Sequence, residues 1–335
     1  MNQKKNKAPP QKELLIQAYL ELARTQEAQA KYKEAKVLLG EALRLSQLQD
    51  SNEDNNVSLD ILAFLGVVES HLRNFSKAQS LLKHVLAIRE RKLGLKHPDV
   101  ANVLNSLGNA AFAQMDLVAC HDYFQKALQI RREKLGEFHP EVAVLLNNFA
   151  ILSEAQGNLE DAEHYYRQVI ALYEHKRTID QPEGANALYN LASFYFSEGK
   201  YPESEELFKR ALDIRKTKFG LHHPHVASTM NNLAVVYQKL GPNRVKDAEG
   251  MLREALHLLE TYSSDKCSIA STKNNLAVLY HGLEKYDTAE ELMRESHEIY
   301  AEVLGSNHSR TKSIRRNLDS LQHLIAFPIS REKLR

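Results

Sequence analysis

The residues of this chain best equipped for metal or nucleophilic chemistry are its fifteen histidines and two cysteines, and their spacing argues for neither. His97, His139 and His223 each precede a proline and fall on multiples of 42 residues, with His308 one residue out of step. In a stack of repeated units, equivalent positions lie about a helix diameter apart, ~10 Å, too far for one ion to gather two of them. They read as connector residues that help to cap the helix before them. His222, His223 and His225 form the one local cluster, with no carboxylate or thiolate placed beside them. Cys120 and Cys267 are too few for a disulfide framework or a cysteine metal site, and they suit a reducing compartment. The phosphate-loop, dinucleotide, HExxH and GxSxG motifs are lacking. The expectation is a non-enzymatic chain with no catalytic residue, no metal and no cofactor.

Uncharged amides make the more telling pattern. Asn105, Asn147, Tyr189, Asn231 and Asn274 recur at one register, and Asn148, Asn190, Asn232 and Asn275 form a second row beside them. Asparagine is a poor helix former, so its return at one mid-helix position points to a bonding role. An amide offers a donor and an acceptor together, which suits the backbone of an extended peptide. The same face receives Asn102, Asn109, Phe112, Phe196, Gln238 and Lys239, with Arg315 and Arg316 on the last helix. Two roles are open: contact with a bound peptide, or hydrogen bonds between neighbouring helices that hold the stack together.

The elements that must position these rows are repeats. The strings LGLKHPDVANVLNSLG, LGEFHPEVAVLLNNFA and FGLHHPHVASTMNNLA are copies of one another at a 42-residue period. Small residues recur in the first half of each unit at Ala23, Gly66, Gly108, Ala150, Ala192, Ala234 and Ala277. In the second half Ala35, Ala78, Cys120, Ala162, Ser204, Ala248 and Ala289 are each followed four residues later by a large apolar residue, such as Leu39 or Phe124. Each unit is therefore two amphipathic helices joined by a short turn such as Gln156-Gly157-Asn158. Seven pairs are predicted at 11–50, 57–96, 98–138, 140–180, 182–222, 224–265 and 268–307, and a last helix repeats the first-helix pattern. The expected organisation is a disordered basic tail over 1–10, seven pairs over 11–308, a capping helix over 309–325 and a frayed tail over 326–335.

This pattern resembles the tetratricopeptide repeat, with its Leu-small pair in the first helix and its small, aromatic and small residues in the second. The spacing exceeds the ~34 residues of the ordinary repeat. Segments such as IRERKLGLKHP and IRREKLGEFHP look like the repeats of kinesin light chains. The resemblance implies an all-α, right-handed superhelical solenoid of helix pairs with a C-terminal capping helix. It also implies peptide contact by the Asn before the Leu-small pair, here Asn148, Asn190, Asn232 and Asn275. The long coiled coil that precedes the repeats of kinesin light chains has no room within residues 1–10.

Composition agrees. Thirteen glycines and nine prolines in 335 residues are about half of ordinary usage, which argues against a sheet-rich or disordered chain. Lys and Arg number 44 against 43 Asp and Glu, so no global charge draws the chain to nucleic acid or to an anionic membrane. Neither a secretory signal nor a membrane-spanning run is readable. Lys4, Lys5 and Lys7 could touch acidic tails or a membrane surface, but three charges more often serve solubility. The expected function is a cytoplasmic adaptor that binds an extended partner segment in a groove formed by Asn105, Asn147, Asn148, Tyr189, Asn190, Asn231, Asn232, Lys239, Asn274, Asn275 and Arg316. Its basic C-terminal end would favour an acidic segment. The alternative is a structural subunit of a motor-associated or ciliary assembly.

Overall fold

The computed structural model describes residues 11–29, 31–49 and 55–326. The predicted tail over 1–10 lies outside these residues, as does that over 326–335 apart from Ala326, which is the last residue of a helix. Fifteen α-helices and one 3-10 turn make up the described residues, with no strand among them. The chain clusters into two compact units, divided between Leu172 and Tyr173.

The first unit is built from α1 (Gln11–Ala28), α2 (Tyr32–Gln49), α3 (Asn56–His71), α4 (Phe75–Leu93), α5 (Pro98–Ala113), α6 (Leu117–Leu135), α7 (Pro140–Gln156) and most of α8 (Leu159–His175). The second unit holds α9 (Pro182–Ser197), α10 (Tyr201–Phe219), α11 (Pro224–Leu240), α12 (Val245–Tyr262), α13 (Lys266–Gly282), α14 (Tyr286–Leu304) and α15 (Ser309–Ala326). The enlarged turn around Pro242 is a single 3-10 turn over Pro242–Arg244. In each unit the two helices of a pair pack on each other, as α5 and α6 or α13 and α14 do, and the second helix of a pair packs on the first helix of the next.

The small residues explain how closely the helices of a pair approach. A Cβ added at Gly108 would run into the Phe124 ring, and one at Gly66 would come within 2.7 Å of Leu82 Cγ. Phe124, Leu82, Phe208 and Leu252 are buried, and such side chains each contribute about 1.5–3 kcal/mol of burial. Where the small residue is polar, it finds a backbone partner. Ser204 Oγ donates to the Ala192 carbonyl at 2.7 Å and Ser296 Oγ to the Ala270 carbonyl at 2.6 Å. Leu22 differs from its buried copies Leu65 and Leu107, because no second helix precedes α1 among the described residues to cover it.

Two kinds of connection repeat. Within pairs, Arg73, Met115 and Glu284 all adopt φ 62°, where Gly157 and Gly199 serve two further copies. Between pairs, Gly94, Gly136 and Gly305 take φ 85° and Gly220 takes φ 82°, a region closed to side chains when ψ is extended. The histidines then cap the following helix, not the preceding one as expected. His97, His139, His223 and His308 Nδ1 accept the backbone N–H of Asp99, Glu141, His225 and Arg310 at 3.1, 3.2, 3.2 and 3.2 Å. Pro98, Pro140 and Pro224 follow as the first helical residues, where a missing N–H costs nothing. No helix among the described residues is long and apolar enough to cross a membrane.

Candidate ligand-binding groove

The amide rows lie on the first helices, two residues and one residue before the Leu-small pairs that fix each helix against its partner. Their side chains are half-buried, except Asn231, which is buried. The two rows meet diagonally across neighbouring repeats. Asn148 Nδ2 donates to Asn105 Oδ1 at 2.8 Å between α7 and α5. Asn232 Nδ2 donates to the Tyr189 hydroxyl at 2.7 Å between α11 and α9, and Asn275 Nδ2 to Asn231 Oδ1 at 3.0 Å between α13 and α11. Asn231 Nδ2 in turn donates to Asn232 Oδ1 at 3.1 Å. The bonds between neighbouring helices therefore exist, and they orient the second-row amides. Asn148 and Asn275 each commit one N–H to this ladder, and each retains a carbonyl oxygen and a second N–H. Asn147 and Asn190 also have partners. Asn274 Oδ1 and Gln238 Nε2 are buried without a hydrogen-bond partner.

A set of arginines that the sequence pattern did not single out recurs on the second helices. Arg89, Arg131 and Arg215 stand at one register near the ends of α4, α6 and α10, and all three are buried. Arg89 pairs with Asp60 of α3 and donates to the Asp99 carbonyl of α5 at 3.2 Å. Arg131 pairs with Glu141 of α7 and donates to Asn102 of α5. Asn102, expected on the groove, is thus committed to this contact. Arg215 donates to Asn186 Oδ1 at 2.7 Å, Thr229 Oγ1 at 2.6 Å and the His225 carbonyl at 3.2 Å. Its guanidinium carbon lies 4.5 Å from the centre of the Tyr189 ring. Burial pushes the Arg215 guanidinium below its ordinary value, with Tyr189 acting in the opposite direction. The signal for these residues was present in the recurring IRERKLG, IRREKLG and IRKTKFG segments.

Lys239, at the end of α11, and Arg316, on α15, are exposed. Arg316 lines a depression of about 750 Å³ with His297, Ser306, Ser309, Thr311, Lys312 and Arg315. Arg315 is paired with Asp319 at 2.9 Å. The histidine cluster is spent on stacking and capping: His223 stacks on Phe219 at 4.4 Å, and His222 lies 4.6 Å from Tyr262. No group of three or more His, Cys, Asp or Glu among the described residues could hold a metal ion.

Tetratricopeptide-repeat family models match residues 58–99, 101–175, 148–218, 185–261 and 269–310, and the chain belongs to this family. Its fold is similar to that of BtubC (BKLC) from P. vanneervenii, with a TM-score of 0.58 at 19% identity over 71% of this chain and 94% of that one. A kinesin light chain of P. anserina with nearly identical repeats aligns with a TM-score of 0.51 at 21% identity, over 62% of this chain and 97% of that one. A STAND-class signal transduction ATPase from Pyrococcus horikoshii, which carries a tetratricopeptide-repeat sensor, gives 0.63 at 17% identity over 92% of this chain and 45% of that one. No curated protein sequence matches the chain.

Proposed function

We propose that the chain is a non-enzymatic adaptor that holds an extended segment of a partner protein along its first helices. The observation that carries this reading is the diagonal ladder, which fixes second-row amides such as Asn148 and Asn275 while sparing a donor and an acceptor on each. Amides held in this way lose little freedom when a peptide backbone bonds to them, so less of the interaction is spent on ordering. Membership of a family of stacked interaction repeats supports the same reading. Lys239 and Arg316, both exposed, favour an acidic segment over a basic one. Two free cysteines suit a cytoplasmic setting.

The test replaces Asn109→Arg, Lys239→Glu and Arg316→Glu together, which alters groove-facing side chains without breaking the ladder. Partners that copurify with the tagged chain should be lost from the triple variant while its helicity by circular dichroism is unchanged. Full retention of the same partners would overturn the groove reading and direct attention to the outer helices.

A further inference from the structure

In α13 the small residues Ala270 and Ala277 are fully buried, in one apolar cluster with Met293 of α14. The matching positions of α15, 42 residues further on, hold Lys312 and Asp319, and both are exposed. Burying these charges under another helix would cost far more than burying alanine, so this face of α15 is not a seam for a further helix.

Lys312 instead lines the depression of about 750 Å³ formed by α14, the connector after it and α15. No Asp or Glu contributes to that lining. Lys312, Arg315 and Arg316 supply three cations, His297 a ring nitrogen, and Ser306 and Ser309 two hydroxyls. Arg315 is bonded to Asp319 at 2.9 Å, whereas the other five side chains have no bonding partner among the described residues. Lys312 precedes Arg315 by three residues and Arg316 by four, spacings that set like charges side by side on a helix and disfavour it. An anion seated among them relieves that repulsion. No residue of α13 lines the depression, and Arg316 is the one residue it shares with the groove.

We propose that this depression is a phosphate-monoester site whose occupant is a phosphorylated serine or threonine side chain of a partner protein. A phosphate ester brings three acceptor oxygens and a charge of about −1.5 to −2 near neutrality, which answers a lining rich in donors better than the two oxygens and single charge of a carboxylate. The Arg316 guanidinium can bond two of those oxygens at once, Lys312 adds a point charge, and His297 and the serine hydroxyls supply neutral donors. Glu291, Glu298 and Glu302 stand exposed on α14. A broad anionic membrane would meet these carboxylates as well, so one phosphoryl group on a flexible segment suits the site better. This inference stands apart from the groove reading.

The test titrates the full chain with three forms of a Gly-Ser-Gly-X-Gly-Ser-Gly peptide, in which X is phosphoserine, glutamate or serine, following the backbone amides of residues 309–316 by NMR. The phosphoserine form should bind at least about tenfold more tightly than the glutamate form, the scale of one further charge-assisted hydrogen bond, and the gap should narrow with added salt. The serine form should leave these amides unshifted. Lys312→Gln, at an exposed position, should weaken the phosphopeptide by about fivefold or more with the melting temperature unchanged. Should that variant fold poorly, Arg316→Gln decides in its place. Equal binding of the phosphoserine and glutamate forms, no shift with either, or an affinity unchanged in the variant that folds overturns the site. Inorganic phosphate binding more tightly than the phosphopeptide overturns the assignment to a partner side chain, as does sedimentation with phosphatidylserine vesicles that Lys312→Gln abolishes. Lys312→Gln leaves every groove residue in place, so its result bears on this site and not on the groove.

Discussion

Asn148 on α7 and Asn105 on α5 are joined by a 2.8 Å hydrogen bond between residues 43 positions apart. A side chain on one repeat thus sets the angle of an amide on the next, and the face that would meet a ligand is also the seam between repeats. Asn148→Ala should cost unit one about 1 kcal/mol in urea unfolding, since it removes a partly buried amide bond and leaves the Asn105 acceptor open to water. A change at exposed Asn109, which holds no such bond, should stay within about 0.5 kcal/mol.

The histidine caps make a separable prediction. His139→Leu removes the acceptor of the Glu141 N–H and should destabilise by about 1 kcal/mol, whereas His139→Asn, whose side chain can accept the same bond, should retain most of it. Thermal melts of the two variants check the difference. Equal losses would mean that the ring serves by packing.

Gly184 and Gly108 both sit where a methyl group does not fit, against different neighbours. A Cβ at Gly184 meets the Ile179 carbonyl, which is backbone, and one at Gly108 meets the ring of Phe124. Gly108→Ala should cost about 1–3 kcal/mol as the ring shifts. Gly184→Ala should cost more, because the loop before α9 must move; denaturant midpoints of the two variants give the order.

Acid should weaken the first unit through Glu69. Its side chain is buried between Lys36 at 3.0 Å and Lys77 at 2.8 Å, with Asn74 donating at 2.7 Å. Burial alone would push the carboxyl up, but the bonds from Lys77, Asn74 and Lys36 outweigh it and hold the group at about 2. A folded value below the unfolded one means that the stabilisation is complete above the ordinary value of 4.5 and is lost as pH falls toward about 2. Unfolding free energies of the native chain and of Glu69→Gln should differ by roughly 2 kcal/mol near neutrality and converge below that window. A constant difference from pH 6 to pH 3 would refute the account.

Much of this architecture is written in the sequence because repetition averages out local ambiguity. Seven copies of a small residue four positions before a large one leave little choice of helix face, and Ala35, Leu39 and Ala42 are fully buried as that pattern requires. The amide rows were equally visible. Their partners were not, because a bond from Asn232 to Tyr189 depends on how one repeat is rotated against the next, which no single helix encodes. The histidines were visible too, but whether a residue between two helices serves the earlier or the later one depends on backbone angles. The extended ψ of 141° at His97 turns its side chain onto α5. The division at Leu172 has no counterpart in the period, which runs through it unbroken.

The connections carry a consequence for how such a chain changes length. Gly94 and Gly136 close α4 and α6 with nearly the same backbone angles, φ 85° with ψ 158° and φ 85° with ψ 163°. Excising residues 95–136 would splice Gly94 onto Glu137 and deliver Arg89 to the carboxylate of Glu141, the side chain that Arg131 now meets. Gene duplication or deletion can therefore act here in whole cassettes, with each splice falling between parts already shaped to fit.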